Sequence, residues 1–173
     1  MTGPLPGPGS LPEASFDQRQ LRDVFGCFAT GVTIVTAAGP DGPVGLTVNS
    51  FTSVSLDPPM LLFCIDRRTT SLPVFEAADA FAVNVLHAGQ ERLAAEFACR
   101  GADRFGEVRW TAGGAGAPVL EDAMATLECR RHSAHDGGDH RIFIGRVTAL
   151  RCDPSFDPLL VFQGRYRSVH VPD

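Results

Sequence analysis

The residues with the most chemistry to offer in this 173-residue chain are short and polar. Residues 45–66 read GLTVNSFTSVSLDPPMLLFCID, and Thr47, Asn49, Ser50, Thr52 and Ser53 crowd the first half. A row of hydroxyls and a carboxamide on one strand forms a wall able to hydrogen-bond a planar polar ligand; an ordinary solvent-facing strand has the same composition. Residues 66–71, DRRTTS, place two arginines before hydroxyl residues at a predicted helix start. Guanidinium forks, free backbone N–H groups and a helix dipole together suit a phosphate, although a capped helix with solvated arginines reads the same way. His132-x-x-His135 with Asp136, Asp139 and His140 has the residue types of a zinc or iron site. Gly137-Gly138 makes this stretch a flexible hairpin tip, so we expect no metal and read tip residues such as His132 and His135 as solvated. His140 differs, because it falls where the loop re-enters a strand and its ring is held by the sheet. A fixed imidazole can donate a hydrogen bond to a carbonyl or a pyrophosphate, and a strand-end histidine bonded to backbone is the plainer alternative.

Other chemistries lack their signatures. There is no G-x-S-x-G nucleophile elbow and no G-x-x-x-x-G-K-[ST] loop. GGAGAP at 113–118 does not lie between a strand and a helix, so it is not a dinucleotide fingerprint. Cys27, Cys64, Cys99, Cys129 and Cys152 are odd in number, widely spaced and without a C-x-x-C pair. Most sit in apolar surroundings, which points to buried, reduced thiols in a cytoplasmic protein.

The elements that must position these groups follow from periodicity. Asp17 with Gln20 forms a capping box, and Leu21, Val24, Phe25 and Phe28 recur at helical spacing, giving one apolar face to bury. Gly31 is the expected left-handed cap of that helix. Residues 32–37 are β-branched, and the Gly39–Pro43 turn GPDGP should fold them against 44–54 as a hairpin. Leu56-Asp57-Pro58-Pro59 breaks the chain, and 60–65 is a continuous apolar run expected to be buried on both faces. A helix over 72–78, a strand over 80–86 with Asn84 as its one polar residue, and a short helix over 91–99 come next. Residues 101–116 are irregular and contain Phe105 and Trp110, and strands are predicted over 124–131, 141–152 and 159–162. Six or seven strands joined by turns, against three short helices, favour a mainly β antiparallel barrel with peripheral helices.

Composition bounds the rest. A charge of −5 with no Lys/Arg cluster argues against nucleic acid as partner, and no apolar run is long enough for a membrane span. Residues 1–14 form a Gly/Pro-rich tail without a signal peptide's basic start or apolar core, expected to be disordered, and 15–173 one domain.

Seven segments occur in one order: FGCFATGVTIVTA (25–37), GLTVNSFTSVSLDPPMLLFCID (45–66), FAVNVL (81–86), RFGEVRW (104–110), ATLECR (125–130), GDHRIFIGRV (138–147) and G-x-Y (164–166). Together they closely resemble the short-chain flavin reductase family, the reductase components of two-component flavin monooxygenases, across roughly residues 16–168. The resemblance implies an FMN-binding split β-barrel and a homodimer. It also implies hydride transfer from NADH or NADPH to FMN or FAD, with reduced flavin passing to a partner monooxygenase. By position, Thr30, Gly31 and Val32 should border the flavin, and Thr47, Asn49, Ser50, Phe51 and Thr52 its ring and ribityl chain. Cys64, Ile65, Asp66, Arg67 and Ser71 should line the phosphate side, Phe105 joins the cofactor-binding set, and His140 and Tyr166 match the nicotinamide side. His140 is the one expected catalytic residue. Val48 stands where the family commonly has Ala, and DRRTTS departs from its usual turn, which leaves FMN against FAD open. Two other readings fit the same barrel: a flavin- or haem-binding carrier or sensor, and a flavoenzyme acting directly on an organic substrate.

Overall fold

The structure is a computed structural model that describes residues 15–99 and 104–169; the expected tail over 1–14 lies outside the described residues. In chain order the elements are α1 (Gln18–Gly26), β1 (Thr30–Gly31), β2 (Thr33–Gly39), β3 (Gly42–Val48), β4 (Thr52–Leu56) and β5 (Pro59–Asp66). Then follow α2 (Leu72–Ala77), β6 (Ala80–Val85), a 3-10 turn (Ala88–Gln90), α3 (Glu91–Ala98), β7 (Trp110–Ala112) and β8 (Pro118–Leu120). Two long strands, β9 (Ala125–Gly137) and β10 (His140–Cys152), and the short β11 (Leu160–Phe162) and β12 (Arg165–Arg167) complete the chain.

Seven strands form one antiparallel sheet in the order β3-β2-β6-β9-β10-β5-β4. Val35, Leu46 and Val48 from one half share a single core with Phe63, Ile65 and Phe143 from the other, with Phe75 of α2 closing one end. Strands from both halves can meet in one core only if the sheet curls on itself, and the fold is a split β-barrel. A second core lies outside the barrel, where Ile34, Ala94, Phe97, Leu120 and Leu159 pack α3, β8 and β11 against β2. Consequently β2 is covered on both faces. Asn84 is buried and fully used: its Nδ2 donates to Ile34 O (3.0 Å) and its Oδ1 accepts from Leu120 N (2.9 Å). That polar interruption pins β8 to the barrel.

Several expectations change. α1 has its capping box, with Gln20 N donating to Asp17 Oδ1 at 2.8 Å, but it ends at Gly26 with Cys27 in a right-handed conformation, and Gly31 is the second residue of β1 instead. Its apolar face is not buried among the described residues: Val24, Phe25 and Phe28 are 67%, 67% and 77% exposed. The polar stretch 45–54 is two strands, parted at residues 49–51. β5 alternates rather than burying both faces, with Leu61, Phe63 and Ile65 in the core and Met60, Leu62 and Cys64 half-covered. The predicted hairpin loop is mostly strand, so His132 and His135 lie on β9, and only residues 138–139 turn. Of the cysteines only Cys129 is buried; Cys27, Cys99 and Cys152 are exposed.

Candidate functional site

A cleft of about 270 Å³ opens where the end of β3, the 49–50 linker, the end of β5 and the C-terminal end of α3 converge. The linker leaves strand geometry because the Ser50 side chain replaces the ladder. Its Oγ accepts from Cys64 N (2.9 Å) and donates to Cys64 O (3.3 Å), which fastens the linker to β5. Thr47 Oγ1 donates to Ala94 O (2.7 Å) and seats α3 on β3. Two hydroxyls of the polar row are thus spent in building the wall, each with acceptor capacity remaining. Asn49, held between them, is exposed, and its carboxamide has no hydrogen-bond partner among the described residues. It also borders a second, more apolar cleft of about 600 Å³ lined by Phe25, Phe28, Thr30 and Val161.

Across the first cleft, His140 opens β10 directly opposite Asp66, the last residue of β5. His140 Nδ1 lies 2.7 Å from Asp139 Oδ1. A carboxylate there favours the proton on Nδ1, so the neutral ring presents Nε2 as an acceptor and the imidazolium presents it as a donor. Asp66 accepts from the backbone N–H (2.8 Å) and guanidinium (2.6 Å) of Arg68, and those bonds hold its carboxyl far below the usual range. The Cys64 thiol is pushed up by burial, partly offset by Ser50, and is no thiolate nucleophile at neutral pH.

The structure therefore brings Thr47, Asn49, Ser50, Cys64, Asp66 and His140 to one cleft, and Thr30 and Asn49 to the other. The remaining expected residues stand elsewhere. Val32 and Ile65 have side chains wholly in the cores, Phe51 is packed on the barrel core, and Thr52 and Gly31 are exposed beyond the wall. Arg67 does not line the cleft: its Nε donates to Gly138 O (3.1 Å) and its guanidinium pairs with Asp136, which Arg141 also grips. Phe105 stacks edge-on to Phe97 and Trp110, at 5.2 and 5.9 Å. Tyr166 is half-buried against the second core, and burial raises its hydroxyl pKa. Thr69 and Thr70, the hydroxyls of the DRRTTS turn, also line the first cleft, as do Phe97, Ala98 and Arg104, which sequence reasoning did not assign to a site. Arg104 stood beside Phe105 in a segment already singled out, and its charge was the available signal.

Residues 25–170 match the family described as flavin reductase like domain. The chain belongs to this family. It is 38% identical over 167 residues to the reductase subunit HsaB of a flavin-dependent monooxygenase from Rhodococcus jostii, covering 96% of this chain and 85% of that one. To the NADH-dependent FMN reductase SmoA of Agrobacterium fabrum it is 46% identical over 131 residues, covering 76% and 75%. The solved NADH:FAD oxidoreductase of Streptomyces globisporus, in complex with NAD and FAD fragments, superposes with a TM-score of 0.85 at 46% identity over 91% of this chain and 94% of that one.

The residues present fit a flavin. The Thr30 and Ser71 hydroxyls are buried without a hydrogen-bond partner among the described residues, and the exposed Asn49 carboxamide is likewise unused there. A buried hydroxyl is costly to leave unpaired, and at Thr30, which lines the second cleft beside the exposed Asn49, a polar heteroaromatic ring offers the missing partner.

Proposed function

We propose that this chain is an NADH-dependent flavin reductase that passes hydride to FAD or FMN and releases reduced flavin to a separate monooxygenase. The observation that carries the reading is Asn49, an unpartnered carboxamide standing where two clefts meet, one polar and facing His140, the other apolar beside α1. When bound, the flavin and nicotinamide supply the redox chemistry between themselves. The chain's part is to hold two rings in stacking reach. Asn49, Thr30 and the wall built by Thr47 and Ser50 orient one ring, and His140, steadied by Asp139, orients the other. No side-chain base is required, which agrees with a cleft holding no activated thiol or serine.

The flavin is further enclosed by a second copy of the chain. The exposed Val24, Phe25 and Phe28 of α1 border the apolar cleft on which Thr30 and Asn49 open, and a homodimer through this face would bury the helix and wall the cleft together. Exposed thiols at Cys99 and Cys152 suit a reducing cytoplasm. No helix among the described residues is long and apolar enough to cross a membrane.

The test is anaerobic bleaching of flavin, with NADH or NADPH titrated into the protein plus FMN, FAD or riboflavin. Bleaching that depends on both protein and nucleotide is expected, fastest with NADH. No protein-dependent rate with any pair would remove the proposal.

A further inference from the structure

We propose that Arg104 is the anion-reading residue of the cleft, its guanidinium taking a phosphate ester group carried by one of the two substrates. The inference rests on the flavin reductase reading above and adds to it a residue and a ligand group.

Arg104 lines the cleft opposite the Ser50 wall, yet it is held from behind. One terminal nitrogen donates to Gly45 O on β3 (2.5 Å) and the other to Cys99 O just past the end of α3. Those bonds use two of the five guanidinium N–H groups, and Nε is buried with no hydrogen-bond partner. The side chain is therefore fixed in place with donors to spare.

Charge separates Arg104 from the other arginines nearby. Arg67 and Arg141 share Asp136, Arg68 is closed on Asp66, and Arg109 is closed on Asp122. Among the described residues no carboxylate pairs with Arg104. It is also partly desolvated, which lowers its pKa from the ordinary value. A half-buried cation without a counter-charge among the described residues is better satisfied when an anion arrives, whereas tying β3 to the end of α3 needs only a neutral donor. The α3 C-terminus accounts for some of the preference for a cation, but not for a guanidinium that lines the cleft with donors to spare. The two neighbouring arginines at 67 and 68, the obvious phosphate ligands by sequence, are already neutralised. FMN, FAD and NADH each bring a phosphate ester, and riboflavin brings none.

The test compares Arg104→Gln and Arg104→Lys with the unsubstituted protein, reading KM for riboflavin, FMN, FAD and NADH together with thermal unfolding. If the phosphate is the flavin's, R104Q raises KM for FMN and FAD roughly ten- to a hundredfold and leaves that for riboflavin nearly unchanged. If it is the dinucleotide's, KM for NADH rises by that factor whichever flavin is used. In either case R104K recovers most of the loss, which a purely structural tie would not do. The inference is overturned if folded R104Q keeps every KM close to that of the unsubstituted protein, if R104K fails as badly as R104Q, or if riboflavin and FMN shift equally while NADH does not. Should R104Q not fold, inorganic pyrophosphate is titrated into the unsubstituted protein by calorimetry. Millimolar or tighter binding that weakens with salt supports the inference, and no binding overturns it. Pyrophosphate binding without any reductase activity would instead remove the proposed function and leave the anion site standing.

Discussion

His140 shows how a single side chain is given a job by its neighbours. Asp139 occupies Nδ1, β10 fixes the backbone, and Nε2 is left for a ligand. Replacing it by alanine is expected to raise KM for NADH by about tenfold, the loss of one hydrogen bond to a charged or strongly polar group. Flavin affinity should stay nearly intact; an equal loss of flavin binding, read by fluorescence quenching, would reject the assignment. Asp136 has a different, purely structural pH signature. Hydrogen bonds from Arg141 and then Arg67 hold its carboxyl below its ordinary 3.8. A depressed folded value means that its stabilising effect is complete above that ordinary value and is lost as pH falls through the folded one. Thermal unfolding should therefore be steady near neutrality and fall in acid, and Asp136→Asn should be less stable near neutrality and lose less as the pH is lowered. The types of these residues were legible from sequence, but their partners were not. The hydroxyls of Thr47 and Ser50, expected to face a ligand, also fasten α3 and β5, because a short side chain beside a broken strand satisfies the nearest backbone first.

At the scale of elements, local rules were most readable where one principle acted alone. The capping box of α1, the turn between β2 and β3 and the apolar β6 follow from residue type and spacing. β10 keeps its predicted range with His140 added, but β9 does not, since His132, Ser133, His135 and Asp136 read as loop yet continue the ladder to residue 137. Pairing with β5 supports β10 along that length, and ion pairs of Asp136 with Arg67 and Arg141 satisfy the polar side chains there. Gly145 of β10 is required by a close approach. A Cβ there would lie 2.2 Å from Phe81 Cζ and 3.0 Å from Cys129 Cβ. Phe81 cannot yield, being packed 4.9 Å from Phe63 inside the barrel core. Gly145→Ala should cost about 1–3 kcal/mol as overpacking. A urea melt reads this directly, and an unchanged midpoint would mean that the core accommodates the methyl. Cys129 belongs to the same packing, and burial pushes its thiol up to about 12. Alkylation at pH 8 should modify Cys152 quickly and Cys129 only after unfolding.

The molecule as a whole presents a helix that the other described residues do not cover. A helix with an amphipathic pattern is expected to bury its apolar stripe, and sequence alone assigns that stripe to an intramolecular core. The barrel core is instead filled by the strands and α2, and the outer core by α3, β8 and β11, so α1 has no place inside either. Only the three-dimensional count of covered faces reveals this. The uncovered stripe adjoins the cleft of Thr30 and Asn49, so assembly and flavin binding become one property of the proposed dimer. Replacing Val24 and Phe28 together by Asp should shift sedimentation from twice the 18.5 kDa of one chain to the single-chain value. Each substitution removes an exposed side chain and places a charge where the partner would sit, so the monomer should retain its fold and unfold as a β-protein. Flavin affinity should fall with the dimer, because the half of the cleft wall supplied by the second copy is gone. A monomeric variant that binds FAD as tightly as the unsubstituted protein would separate the two, and would place the whole flavin site within one chain.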